Sequence, residues 1–162
     1  MATVRVLFVD DSADDVYLAT HQLRRAGLDD VHAVASAWDL QRELEGWRPQ
    51  IVLSDVRMPG FDGFQALEIV RKCAPTVPFI LLSGGAQRCA ARALGAGAYA
   101  VVEKECTDNL PRVFADALVA HVADTGHGDT KRASQAAHAS VRYMSVRHRS
   151  SALDELSGGK VH

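Results

Sequence analysis

Ile51-Val52-Leu53-Ser54-Asp55-Val56-Arg57-Met58-Pro59-Gly60 is the stretch that decides the fold. Three apolar residues lead into Ser54 and Asp55, and Pro59-Gly60 then breaks the run, which is how a buried strand meets a loop. Open α/β sheets keep their binding chemistry at such strand ends. An acidic residue there is usually a turn-former when it stands alone, so the neighbouring strand ends decide what Asp55 means.

Val4-Arg5-Val6-Leu7-Phe8-Val9 is a second buried-strand candidate and runs directly into the acidic pair Asp10 and Asp11. If the two strands are parallel neighbours, three carboxylates converge on one edge of the sheet, where their mutual repulsion calls for a cation. An all-oxygen donor set suits Mg²⁺, which keeps much of its water shell. Ser12 reads as the cap of the following helix. Capping accounts for one polar residue at that place, not for an acidic pair directly behind an apolar strand.

Two further apolar runs end in polar groups. Pro78-Phe79-Ile80-Leu81-Leu82 leads to Ser83-Gly84-Gly85, and Tyr99-Ala100-Val101-Val102-Glu103 leads to Lys104. A hydroxyl and an ammonium then face the carboxylates. Phosphorylation of a carboxylate needs that set: a nucleophile in Asp55, a metal to shield charge, and donors for the phosphoryl oxygens in Ser83 and Lys104. Singly, a strand-end serine more often caps a helix and a strand-end lysine is more often solvated.

With Asp10-Asp11, Asp55, Met58-Pro59-Gly60, Asp62-Gly63, Ser83 and Lys104 in this order and spacing, the chain resembles the receiver domain of two-component response regulators from about residue 4 to residue 122. The resemblance implies that Asp55 accepts a phosphoryl group from a histidine kinase or a histidine phosphotransfer protein. It implies Mg²⁺ held by Asp11, Asp55 and the main-chain carbonyl of Arg57, with Asp10 helping through water. Ser83 and Lys104 would contact the phosphoryl group, and Tyr17, Leu18 and His21 of the first helix are candidates for docking the phosphodonor.

The order of elements agrees. Helical spacing is expected over residues 13–26, 36–45, 64–73, 86–94 and 107–122, and a short second strand over 31–35. In these helices Trp38, Leu40 and Leu44 offer packing groups, Phe64, Leu67 and Val70 form an apolar stripe, and Leu110, Val113, Phe114, Ala117 and Leu118 are expected to point inward. Five alternations of strand and helix imply a five-stranded parallel, doubly wound sheet flanked by five helices, and the resemblance implies that this sheet is flavodoxin-like.

Composition bounds the rest. An apolar fraction of 48% with 23% charged residues describes a globular protein. No run approaches the roughly 20 apolar residues of a membrane span, and no secretory leader is visible, so a cytoplasmic protein is expected, with no membrane partner. Cys73, Cys89 and Cys106 fit neither a disulfide nor a metal spacing. Residues 1–124 carry 12 Lys+Arg against 17 Asp+Glu, a balance of −5, whereas residues 125–162 carry 6 against 3, a balance of +3. An acidic body is not a nucleic-acid footprint, so no direct nucleic-acid binding is expected.

Residues 1–124 thus read as the receiver domain, and residues 125–162 as a polar, basic, flexible tail with too few apolar groups for a core. A short helix over 151–156 would be the exception, docking on a partner or on a second copy in a homodimer.

Three departures from the family's pattern concern mechanism. Glu105 stands after Lys104 where proline is usual, so a trans peptide is expected. Val101 takes the place of a mobile aromatic and has few rotamers. Arg57 and Gly85, two residues past Asp55 and Ser83, take positions that in this family govern water's access to the acyl phosphate, where Arg57 would shield the phosphoryl group, pair with it or point into solvent. The expected function is therefore a stand-alone response regulator acting through protein contacts with an unknown downstream partner. It would not be an enzyme beyond its own phosphotransfer and slow self-dephosphorylation. The rival readings are a receiver-like binding module that no longer switches, and an aspartyl-phosphate hydrolase. The hydrolase is disfavoured because Arg57 stands where such enzymes carry an acid/base carboxylate.

Overall fold

The structure is a computed structural model and describes residues 3–125 and 143–144. Strands β1 (Arg5–Val9), β2 (Asp30–Val34), β3 (Ile51–Asp55), β4 (Phe79–Ser83) and β5 (Ala100–Glu103) alternate with helices α1 (Ala13–Arg25), α2 (Ala37–Gly46), α3 (Gly63–Cys73), α4 (Ala86–Gly95) and α5 (Leu110–Thr125). Every strand pair is parallel, and the order across the sheet is β2-β1-β3-β4-β5 followed by a two-residue strand β6 (Tyr143–Met144).

The alternation of side chains across the sheet sorts the core into two layers. Val6 and Phe8 of β1 pack with Ala19 and Leu23 of α1 and with Leu110, Val113 and Phe114 of α5. Leu7 and Val9 face the other way, onto Leu40 and Leu44 of α2, Leu67 and Val70 of α3, and the alanines of α4. β3 and β4 are buried along their whole length. A central strand covered on both sides has a fixed register, and that register fixes where its last residue lies.

Local chemistry sets the helix starts near the carboxyl edge. Ser12 caps α1 through its side chain, accepting from the Asp15 N–H. Asp62 and Gln65 form a reciprocal capping box at the head of α3, with bonds of 2.8 and 2.9 Å.

Several expectations need correction. Trp38 is 76% exposed and does not pack inward, whereas the docking candidates Tyr17 and Leu18 lie on the surface. Phe64 is partly buried and packs against the core as expected, with the Arg92 guanidinium lying over its ring 3.8 Å from the centroid. The last helix begins at Leu110 rather than 107, since Lys104–Asn109 forms a 3₁₀ turn kinked at Cys106. β6 adds a sixth strand inside the segment read as a flexible tail, with Tyr143 opposite Val101 and Met144 opposite Val102. Other expectations for the tail, including the helix over 151–156, lie outside the described residues. The described cysteines are free, and the Lys104–Glu105 peptide is trans, as expected. No helix among the described residues is long and apolar enough to cross a membrane.

Candidate functional site

β1 and β3 are neighbours in register, with Val9 opposite Ser54, so Asp10 and Asp55 leave adjacent strands at the same level. Ligand oxygens of Asp10, Asp11 and Asp55 lie within 4.8 Å of one another. Asp10 and Asp55 are buried and Asp11 is exposed. Lys104, just past β5, brings its Nζ to 3.2 Å from Asp55 Oδ1. Ser83, at the end of β4, is buried with its Oγ accepting from the Gly85 N–H at 3.1 Å. It lines a cleft of about 630 Å³ together with Asp55, Arg57, Arg88 and Lys104.

The residues singled out in the sequence therefore meet at one edge of the sheet. Two of their neighbours were not singled out. Asp15, in the first turn of α1, holds Lys104 Nζ at 2.6 Å. Arg88 reaches the cleft from α4. The run Asp10-Asp11-Ser12-Ala13-Asp14-Asp15 puts further acids one turn past the Ser12 cap, near the first pair, but nothing in it pairs Asp15 with Lys104.

The electrostatics follow from this crowding. Burial, helped by the neighbouring Asp55 charge, raises the Asp10 carboxyl to about 6 against the lowering effect of the Ser12 N–H bond. Burial disfavours the charged form of Lys104, but the Asp15 and Asp55 carboxylates outweigh it and hold the ammonium above its usual pKa. Asp10 Oδ2 is buried without a hydrogen-bond partner.

An orphaned buried carboxylate oxygen is costly, and three clustered carboxylates with one lysine leave excess negative charge. A divalent cation relieves both, and the all-oxygen donor set fits Mg²⁺ better than a thiophilic metal. The donor set therefore fits the ion expected from the sequence.

Residues 6–112 match the family model described as the response regulator receiver domain. The chain belongs to the response regulator receiver family. This receiver is 35% identical over 109 residues to a protein-glutamate methylesterase/protein-glutamine glutaminase of Xanthomonas oryzae, a match spanning 65% of this chain and 30% of that protein. It is 32% identical over 78 residues to the DNA-binding transcriptional regulator NtrC of Proteus hauseri, spanning 48% of this chain and 16% of that one. Among solved structures, the receiver domain of NtrX from Brucella abortus superposes with a TM-score of 0.65 at 28% identity, covering 70% of this chain and 98% of that domain. The receiver thus spans under a third of the length of each of these two curated relatives. Receiver domains bind Mg²⁺ at an acidic pocket, and here Asp10, Asp11 and Asp55 form that cluster. The described residues hold no second folded unit beside the receiver.

Proposed function

We propose that this receiver is a phosphorelay response regulator that accepts a phosphoryl group on Asp55 from a histidine kinase or histidine phosphotransfer protein and signals through protein–protein contacts. The observation that carries the reading is the buried Asp55 carboxylate, with two acidic neighbours on one side and the Lys104 ammonium at 3.2 Å on the other.

In this reading an Asp55 oxygen forms the new bond to phosphorus as the donor's P–N bond breaks, and the departing imidazole nitrogen keeps the electron pair. Lys104 and Ser83 donate to phosphoryl oxygens, stabilising charge that is greatest in transfer. Asp10, Asp11, Asp55 and the Arg57 carbonyl would hold Mg²⁺, which when bound screens charge on the attacking and transferred oxygens. The reaction is the chain's own modification, not turnover of a metabolite. The acidic receiver body and the absence of a spanning helix among the described residues support a cytoplasmic protein that meets other proteins rather than nucleic acid.

Incubation with acetyl phosphate and Mg²⁺ tests the reading by intact mass. Wild type should gain one phosphoryl group and Asp55→Asn none, and equal labelling of both would remove Asp55 from the role.

A second reading, a receiver that binds without switching, is favoured by Val101, which is fully buried opposite Leu81 and offers no aromatic ring to swing. It predicts the same labelling with no change in partner affinity or oligomeric state.

A further inference from the structure

We infer that Asp15 is a positioning residue for phosphoryl transfer, holding the Lys104 ammonium beside Asp55; the inference rests on the phosphoacceptor reading of Asp55. Lys104 opens the 3₁₀ turn directly behind β5. A lysine carries a compact charge on a flexible four-carbon stem, with much rotamer freedom to lose when it engages a ligand. Its shortest bond is to Asp15 Oδ2 at 2.6 Å, and the contact with Asp55 Oδ1 is longer at 3.2 Å. The principal anchor of Lys104 therefore lies in α1, 89 residues away in sequence.

Asp15 is well placed to act as that anchor. Its main-chain N–H donates to the Ser12 cap at 3.3 Å, so its carboxylate springs from a pinned first turn. An ammonium has three protons to donate. With one given to Asp15, two remain for Asp55 and for an incoming phosphoryl oxygen. When Asp55 becomes an acyl phosphate it loses its free carboxylate, whereas Asp15 keeps its own and continues to hold the lysine. The ordering of Lys104 is thus established before the donor arrives, which is how positioning lowers a barrier. The bland alternative is a half-exposed ion pair of little consequence.

Rates of phosphoryl incorporation from acetyl phosphate with Mg²⁺, measured on the full chain, separate the two. Asp15→Ala should slow incorporation on the order of tenfold. Asp15→Asn keeps an oxygen acceptor for the same bond and should restore most of that loss. In a Lys104→Ala background the Asp15→Ala change should have no further effect. Removal of the Asp15 side chain spares the cap, which uses its main-chain N–H, so the variants should fold. Wild-type rates in Asp15→Ala, or an equal slowing with and without Lys104, would overturn the inference while leaving Asp55 labelling intact. If wild type takes up no phosphoryl group, the phosphoacceptor reading falls and this inference with it.

Discussion

Gly63, the first residue of α3, packs directly against the main-chain carbonyl of Asp55. A Cβ at Gly63 would collide with that oxygen and come within 2.7 Å of Leu81 Cδ1, while the Gly63 N–H closes the loop onto the Val56 carbonyl at 3.0 Å. The obstruction is backbone and buried side chain, so neither yields cheaply. Gly63→Ala is expected to destabilise the receiver by about 1–3 kcal/mol and to displace the end of β3, lowering Mg²⁺ affinity as well. Denaturant midpoints and metal titration check this. A midpoint equal to wild type would show that α3 can withdraw from β3.

Asp10 makes stability depend on pH in the direction opposite to an ion-paired carboxylate. Its pKa rises from 3.8 to about 6 in the folded protein, chiefly through burial. The folded state therefore binds this proton more tightly than the unfolded chain. Asp10 favours folding below about pH 4, and that contribution is lost as pH climbs through about 6. In chelator-treated protein, Asp10→Asn should be more stable than wild type above pH 6, by on the order of 2–3 kcal/mol, and equal to it near pH 4. Adding Mg²⁺ at neutral pH should stabilise wild type more than the variant. Urea midpoints at the two pH values decide it, and a gap that does not change with pH would remove burial of the Asp10 charge as the cause.

Arg57 is exposed and lines the same cleft as Asp55, Ser83 and Lys104. If its side chain covers the acyl phosphate, it excludes the water that would hydrolyse it. Arg57→Ala is then expected to shorten the lifetime of phosphorylated protein several-fold, with little effect on stability, as exposed substitutions usually have. The decay of labelled protein after removal of acetyl phosphate measures this. An unchanged decay rate would leave Arg57 as a solvated cation with only its carbonyl facing the metal site.

Long, non-alternating apolar runs made the fold readable, because β3 and β4 are buried on both faces and leave no second interpretation of where Asp55 and Ser83 fall. The positions of Asp10, Asp11 and Lys104 followed from the same strand ends. Asp15 was not readable as a partner of Lys104, since the pairing depends on how α1 and the 3₁₀ turn approach each other and no local pattern encodes it. Trp38 misled because helical spacing counts apolar residues without knowing which face the sheet covers. The strand at Tyr143–Met144 was equally hidden, as two residues in a polar segment have no periodicity and pair through their main chain.

Arg71 ties the end of α3 to the two loops that lead into β4 and β5. Its Nε donates to the Gly97 carbonyl at 3.0 Å, and its Nη1 donates to Val77 and Pro75 carbonyls at 2.8 and 3.1 Å. Gly97 has a φ of +102°, and a Cβ there would lie 3.1 Å from Arg71 Nε, so the loop's shape and the guanidinium's seat depend on each other. These loops set the starts of the strands whose ends carry Ser83 and Lys104. Hydrogen bonds to a charged donor are worth about 1.5–3 kcal/mol each, and partial exposure here reduces that. Arg71→Ala is expected to cost about 2–3 kcal/mol in total. Arg71→Lys should recover little of it, because a single ammonium lacks the planar fork that spans both loops. Equilibrium unfolding of the two variants tests the claim, and full recovery by lysine would reduce the role of Arg71 to charge alone.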